Sequence, residues 1–385
     1  MAVTNTPSTL EIQKWRRDFF VEYQRDNLFA PYMGNGQNAV IMRINELKDE
    51  GEQITIPLVG RLTGQGQVGA NTLVGNEETM DQYGHKIVID WARHAILLNK
   101  KEMRKAAIDQ MNAVRPLLNE WAAAKLRDDV CRAFATIQPF GTSSSLIGNV
   151  QGIPFMLATP AQANAWLVGN DDRVQFGNGQ ATKVSGNFAA SLANVDATND
   201  LATVSAFNRV KRLVKQADPR IRPIRVDGGR EYFVTFLPSP VFADLANDPA
   251  MIQANKDARA REGGGMDDNP IFQDGDLLYR GMIFREIPEM AQFFRFPGAG
   301  TAGTDVYGAV TVGQQAVGYA IGQLPAPTTR SDDDYGFLKG RGVEICYGIS
   351  KVVKARNGLS TTGIAANTNA DWSTFTSFWA TQSAN

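Results

Sequence analysis

The chain has 385 residues, of which 43% are hydrophobic, and this is enough apolar material for two or three core-forming regions, so a wholly disordered chain is excluded. Its 39 Lys and Arg against 40 Asp and Glu leave a formal net charge of −1, which argues against binding nucleic acid or a membrane surface through overall charge. Two cysteines, Cys131 and Cys346, and the lack of a long apolar run indicate a cytosolic protein with neither a disulfide framework nor a membrane span.

The N-terminal fifty residues are predicted to form an arm with two short helices. The first helix is expected within residues 11–30, where Ile12, Trp15 and Phe19 follow helical spacing. The second is expected to begin at Asn38 as its N-cap and to end at Gly51.

Residues 51–98 are predicted to form an extended two-stranded arm. Its runs, Gln53–Val59 and His85–Trp91, alternate apolar and polar residues like half-buried strands, and the segment Gly60–Gly84 between them is far too long for a tight turn. Two strands alone bury little apolar surface, so we expect the arm to lie on a neighbour. The residues expected at that contact are Ile54, Ile56, Leu58, Arg61, Ile87, Ile89 and Trp91.

A long helix is predicted from Lys100 to Thr136, where apolar residues recur every three or four positions. Pro116 lies inside this pattern and removes one backbone hydrogen bond, so we expect a kink or a split there.

The remainder mixes helices and strands without a regular alternation, which predicts an α+β fold. Residues 139–203 yield only short strands near Ile153 to Leu157. Beyond them, helices are predicted at 201–217 and 240–261, and strands at 231–237, 277–287, 306–312, 317–321 and 342–353. The segment after Gly358 is expected to dock through Trp372, Phe375, Phe378 and Trp379.

Two glycine patterns match the dinucleotide-binding spacing, one starting at Gly64 and the other at Gly298. Phosphate binding by this motif requires a helix N-terminus directly after the glycines. Neither pattern is followed by a predicted helix, so flexible loops are the better interpretation, and no cofactor is expected.

No catalytic or metal-binding constellation is predicted. His85 and His94 lie near the second arm strand without a Cys or carboxylate cluster at metal-ligand spacing, and no nucleophile elbow accompanies them. The acidic run Asp332–Asp334 is interpreted as a solvated loop.

A basic segment begins within the helix predicted at 201–217 and continues beyond it. It is suited to a polyanion such as DNA or to an acidic partner surface, but arginines that form ion pairs at subunit interfaces would give the same pattern. Its members include Arg209, Lys211, Arg212, Lys215, Arg220 and Arg222.

Several segments together resemble the major capsid proteins of tailed bacteriophages, and more narrowly the branch of the N4-type podoviruses. The similarity is densest over residues 40–136. It is carried by Leu62-Thr-Gly-Gln-Gly66, Gly69-Ala-Asn-Thr-Leu-Val-Gly75, Ile89-Asp-Trp-Ala-Arg93, Leu118-Asn-Glu-Trp121, Leu278-Tyr-Arg-Gly281 and Gly313-Gln-Gln-Ala-Val-Gly318.

The resemblance implies the Hong Kong 97-type capsid fold. It would divide the chain into an N-terminal arm at 1–50, an extended loop at 51–98, a peripheral domain with a spine helix at 99–139 plus 335–365, an axial domain at 140–334, and a C-terminal tail at 366–385. Some shells of this fold are cross-linked through a lysine of the extended loop. No lysine lies between Gly51 and His85, so non-covalent contacts are expected here.

The expected function is therefore a coat protein, not an enzyme, that assembles into pentamers and hexamers of an icosahedral shell around double-stranded DNA. Expected partners are other copies, a portal, scaffolding or cement proteins, and DNA through non-specific contacts. The expected location is the virion, with assembly in the bacterial cytoplasm. The alternatives are an encapsulin-like nanocompartment and, in another class, a nucleotide-dependent enzyme.

Overall fold

The fold is built on two mixed β-sheets, seen here in a computed structural model. The structure describes residues 27–47, 51–62, 64–80, 82–106, 109–138, 146–179, 181–226, 229–254, 272–273, 276–356 and 368–381. The strands are β1 (Met33–Gly34), β2 (Ile41–Ile44), β3 (Gln53–Val59), β4 (Gln82–Val88), β5 (Asp90–Asn99), β6 (Thr136–Ile137), β7 (Leu146–Ile147), β8 (Val150–Gln151), β9 (Ile153–Pro154), β10 (Val174–Phe176), β11 (Ile224–Val226), β12 (Arg230–Leu237), β13 (Phe272–Gln273), β14 (Asp276–Tyr279), β15 (Met282–Glu286), β16 (Arg295–Phe296), β17 (Val306–Val312), β18 (Val317–Asp333), β19 (Leu338–Lys351), β20 (Val353–Arg356), β21 (Thr368–Asp371) and β22 (Thr374–Ala380).

The helices flank these sheets. They are α1 (Lys100–Lys105), α2 (Gln110–Phe134), α3 (Pro160–Gly169), α4 (Phe188–Ala193), α5 (Val204–Gln216), α6 (Ser239–Ala246) and α7 (Met290–Phe293). Residues 249–254 are also helical.

The seven-stranded sheet has the order β1-β2-β18-β19-β8-β7, and β5 pairs with β19. Strand β19 is its centre, and its side chains alternate between two faces as strand geometry requires. On one face, the Tyr347 hydroxyl donates to Asp129 of α2 at 2.6 Å. His94 of β5 stacks on Trp121 of α2 with ring centroids 4.9 Å apart. Helix α2 therefore covers one face, and we call the opposite face the outer face.

The nine-stranded sheet has the order β10-β22-β17-β12-β15-β14-β13, with β11 and β16 added at its edges. Phe378 of β22 lies among the rings of Phe155, Phe176, Phe188, Phe294 and Phe296. Helix α5 packs on the same sheet through Phe207, which contacts Trp379 at 5.1 Å between ring centroids. These buried aromatic residues form the core of the second sheet.

The helix predicted after Asn38 is wrong, because β2 occupies Ile41–Ile44 and pairs in parallel with β18. The apolar residues of this segment fit a helical spacing as well as a strand, and pairing with the edge of the sheet makes the segment a strand. The Asn38 side chain bonds the backbone of Arg225 instead of capping a helix. The helix predicted within residues 11–30 lies almost wholly outside the described residues.

The long helix is interrupted earlier than expected. Helix α1 ends at Lys105, and α2 begins only at Gln110, capped by Asp109, whose side chain accepts from the Asn112 amide at 3.2 Å. Pro116 does not split the helix. It lies in the second turn of α2, so the carbonyl it leaves without a partner is near the start of the helix.

Two of the expected domain boundaries are wrong. Strand β18 pairs with β19 over most of its length, so residues 317–333 belong to the seven-stranded sheet and not to a separate axial domain. Residues 374–380 are not a tail, because β22 lies between β10 and β17 inside the nine-stranded sheet. The predicted docking of the aromatic residues therefore occurs within the same chain.

Other predictions differ in extent. Residues 139–203 contain α3, with a capping box between Thr159 and Gln162, as well as α4, and both were missed in this Gly- and Asn-rich region. The helix predicted at 240–261 is interrupted at Asn247, and its end lies outside the described residues. Strand β18 is far longer than the predicted 317–321.

Candidate assembly surface

The arm is a regular antiparallel hairpin. Strands β3 and β4 pair from Gln53 opposite Val88 to Val59 opposite Gln82. Along β3 the side chains of Ile54, Ile56 and Leu58 are the more buried ones, as the alternation predicted. The hairpin lies on the outer face of the seven-stranded sheet, across β18 and β19.

Glycines on that face let the arm approach closely. A β-carbon on Gly318 would overlap the Cδ1 atom of Ile87, and one on Gly322 would lie 2.7 Å from that of Ile89. A β-carbon on Gly348 would overlap the Val88 carbonyl. Side chains at these three positions would clash with the arm. We call Gly318, Gly322 and Gly348 the glycine seat, because here the arm rests on backbone that carries no side chain.

His85 of β4 is buried between the arm and the sheet and is only 5% exposed. Its Nε2 atom lies 2.9 Å from the Ser350 hydroxyl of β19, and the Gln138 amide lies 3.4 Å from the same hydroxyl. Burial lowers the pKa of His85 to about 4, because the charged imidazolium would lose its hydration. The side chain therefore acts as a neutral hydrogen-bonding group between arm and sheet, and a metal or catalytic role has no geometric support.

The expected contact face of the arm is already covered by its own chain. Ile54, Ile56 and Ile89 pack against a buried cluster of Ile44, Leu47, Ile87 and Ala320. The neighbour on which the arm lies is thus the seven-stranded sheet of the same chain. Contact of these side chains with another subunit stays a prediction.

Trp91 does not lie on the contact face of the arm. It belongs to β5, pairs opposite Cys346 and is 52% exposed. The reason is a break in the alternation at Ile89, between β4 and β5, which the sequence pattern does not reveal. Arg61, at the base of the loop, lies 3.6 Å from Asp218, and both side chains are about half exposed.

The loop between the arm strands exposes large apolar side chains. The exposed fraction is 67% for Leu62, 78% for Val68, 60% for Leu73 and 80% for Val74. Two glutamates brace the loop, since Glu78 accepts from the Gly64 amide and Glu77 from the Gly75 amide, each at 2.7 Å. An ordered loop that exposes this much apolar surface is typical of a protein contact site.

The basic segment lies on and after α5. Its exposed members are Arg212, Lys215, Arg220 and Arg222. Arg209 is partly buried and donates to the Asn178 carbonyl at 3.2 Å. Lys211 donates to the Arg280 carbonyl, and its pKa is lowered by partial burial and by the positive charges of Lys215 and Arg280. Four of the six named side chains are thus exposed, whereas Arg209 and Lys211 form local contacts.

In the described part of the chain, the remaining candidate features provide no arrangement suited to nucleotide binding or metal binding. The first glycine pattern lies in the arm loop, and the second ends in a short 3-10 helix (Thr301–Gly303) that is followed by β17 and not by an α-helix. No group of three or more metal-ligating side chains occurs among the described residues. Cys131 and Cys346 are free and buried. None of the described helices has the length and apolar character needed to cross a membrane.

The glycine seat was missed from sequence. A signal was nevertheless present, since Gly318 and Gly322 lie four residues apart and β19 carries Gly340, Gly342 and Gly348 at even spacing. Glycines that share one strand face indicate close approach of another backbone.

Comparison with known proteins places this geometry in context. A family model described as phage capsid protein matches residues 3–370. A major capsid protein of Pseudomonas phage KPP25 is 27% identical over 335 residues, which are 83% of this chain and 82% of that protein.

Solved structures of phage capsids have a similar fold. The capsid asymmetric unit of cyanophage Pam1 matches with a TM-score of 0.84 and 29% identity, covering 100% of both chains. The capsid of Ralstonia phage GP4 matches in fold, with a TM-score of 0.70 and 19% identity, covering 100% of this chain and 99% of that one. The α+β phage capsid fold expected from the resemblance is confirmed. The chain therefore belongs to the phage capsid protein family.

Proposed function

We propose that this protein is the major capsid protein of a tailed phage and that its arm loop is the main contact between subunits. The observation that carries the proposal is the loop with exposed Leu62, Val68, Leu73 and Val74, held on a hairpin that is itself seated on the protein. Repeated copies related by symmetry would bury the same apolar patch many times. The membership in a capsid family and the fold shared with assembled phage capsids support this reading.

The test is a loop variant in which Leu62, Val68, Leu73 and Val74 are replaced by serine. These side chains contribute little to the folded subunit because they are exposed, so the subunit should remain folded, while shells should be lost or greatly reduced. Circular dichroism would monitor folding, and electron microscopy would monitor shells.

The matched control is Ile87→Ser, in arm strand β4, whose side chain is fully buried between the arm and the sheet. This change should destabilise the subunit itself. Normal shells from the loop variant would contradict the role of the loop.

The same proposal extends to the partners. We propose a portal, scaffolding or cement proteins and packaged double-stranded DNA as candidate partners, with assembly in the bacterial cytoplasm and no enzymatic activity. For DNA, the exposed cations Arg212, Lys215, Arg220 and Arg222 are the best candidates for non-specific phosphate contacts.

Replacing these four residues by glutamine should leave shells intact and weaken the salt-dependent binding of DNA by dissociated subunits. Unchanged DNA binding would assign the patch to an interface instead. The family assignment offers no support for the nucleotide-dependent enzyme, and the encapsulin-like alternative would predict shells that enclose protein in place of DNA.

A further inference from the structure

The turn between β18 and β19 presents a fully exposed aromatic side chain. Asp334, Tyr335 and Gly336 all have positive φ angles, of 49°, 53° and 75°. Left-handed backbone is unfavourable for the first two residues, which are not glycine. The Phe337 amide donates to the Asp334 carbonyl at 2.9 Å, and the Lys100 amide donates to the Phe337 carbonyl at 3.0 Å, so the turn is held in place.

Tyr335 gains nothing from this conformation inside its own chain. It has 106% of the reference exposure, and no ring among the described residues stacks on it. Strained turns persist where the surroundings or a function require them. Tyrosine is also among the residues enriched at the energetic centres of interfaces.

The hairpin formed by β18 and β19, together with the neighbouring strand β5, carries a groove on the outer face of the sheet. Gly340 and Gly342 form the floor. On one rim, Leu97 and Ala95 lie opposite them in β5, and on the other rim Arg330 and Thr328 lie opposite them in β18. The four rim residues are exposed, whereas both floor glycines are buried between them. The groove lies beyond the glycine seat, so the arm does not cover it.

Charge favours a match between the turn and the groove. Asp334 is exposed beside Tyr335. The groove has Arg330 on one rim. Arg93 is exposed on the same face of β5, two residues from Ala95, with Glu344 of β19 opposite it. A tyrosine ring can also pack against an arginine side chain.

We propose that Tyr335 of one copy docks into the groove between β5 and β18 of a second copy. Tyr335 does not fill its own groove, because its side chain is fully exposed in the subunit. The contact joins two different surfaces, so it is head-to-tail and closes into a ring when the rotation between copies permits. This inference rests on the shell-building function proposed above.

Disulfide trapping tests the contact directly. Cys131 and Cys346 are buried, so they give little background. In the double variant Tyr335→Cys with Leu97→Cys, mild oxidation of assembled shells should convert the monomer band on a non-reducing gel into cross-linked multimers. Dissociated subunits should stay monomeric, and so should each single variant.

The control pair is Tyr335→Cys with Leu157→Cys, a position that is 70% exposed and outside the ribbon. Complete shells without cross-links, or equal cross-linking with the control pair, would overturn the proposal. If the unmodified protein formed no shells at all, the proposed function would fail first, and the two failures are therefore distinguishable.

A second measurement covers variants that cross-link poorly. Tyr335→Ala, and Gly340→Leu as a groove-filling change, should leave the circular dichroism of the subunit unchanged and lower the denaturant concentration at which shells dissociate. Shells of Tyr335→Ala that are as stable as those of the unmodified protein would also overturn the proposal.

Discussion

The backbone carbonyl of Val88 in the arm lies directly against Gly348 of the central strand, so closely that a β-carbon at position 348 would overlap it. The arm therefore rests on the sheet through backbone as well as through side chains. The arm can take this position only because residue 348 has no side chain. The position of the exposed loop in turn depends on that of the arm.

Gly348→Ala should displace the arm without unfolding the sheet. Overpacking of a tight contact typically costs about 1–3 kcal/mol, so we expect a loss of unfolding free energy in this range. Cleavage of loop residues 60–84 in limited proteolysis should become faster.

The matched control is Gly340→Ala on the same strand. There a β-carbon would lie 3.3 Å from the Cδ1 atom of Leu97 and 3.4 Å from the Cβ atom of Arg330, contacts that small shifts relieve. Equal proteolysis of both variants would argue against the backbone seat.

His85 should make the protein less stable in mild acid. Its pKa is about 4 in the folded chain and 6.5 as the ordinary value, so between these values the unfolded state binds more protons. The free energy of unfolding should then fall as the pH is lowered from about 6.5 to about 4, by about 3 kcal/mol in total, and level off below that range.

His85→Gln removes this titration and keeps a polar group near Ser350, so the slope in this pH window should largely disappear. The control is His94→Gln, whose ring is exposed and stacked on Trp121. Denaturant titrations at several pH values would measure both. A slope that survives in His85→Gln would assign the acid sensitivity to other groups.

The arm was predictable from sequence because its signal is local. Alternating residues such as Ile54 and Ile56 follow from strand geometry, and α5 followed from Val204, Phe207, Val210 and Val214 at helical spacing. The α+β class also followed from the order of the segments. What lay under the arm was not predictable, because Gly318 and Gly348 meet it only after β18 and β19 pair.

Long-range pairing explains the other errors. Ile41 and Ile44 fit a helix by spacing, but they join a sheet edge provided by residues nearly 280 positions later. Phe378 and Trp379 were predicted to dock, yet their surroundings come from segments throughout the chain. Local propensity does not contain that information.

Lys351 should be essential for stability because it is a buried charge paired with Asp371. Its ammonium group donates to Asp371 at 2.8 Å, the two side chains are 1% and 2% exposed, and the rings of Phe155 and Trp166 lie beside it. Lys351→Met leaves the Asp371 carboxylate buried without this cation, and such losses typically cost about 3–5 kcal/mol.

Two comparisons make this prediction specific. The double variant Lys351→Met with Asp371→Leu should regain part of the loss, because no uncompensated carboxylate remains. Lys105→Met, which breaks the exposed pair with Glu102, should change the unfolding free energy little. If Lys351→Met were as mild as Lys105→Met in urea titrations, the ion pair would not be a stabilising element.

Truncation before Thr374 should abolish folding, although the removed segment lies at the end of the chain. Strand β22 pairs with β10 on one side and with β17 along seven residue pairs on the other. Phe375, Phe378 and Trp379 are fully buried and contribute to both large hydrophobic cores. Loss of even one buried aromatic residue typically costs about 3–5 kcal/mol, which is comparable to much of the stability of a domain.

The control is truncation after Thr381, which retains the whole strand and should give a soluble protein with the original melting temperature. Solubility, circular dichroism and thermal unfolding would separate the two variants. A protein lacking residues 374–385 that still unfolded cooperatively would mean that the nine-stranded sheet tolerates the loss of an interior strand. The segment would then act as the separable tail that the resemblance implied.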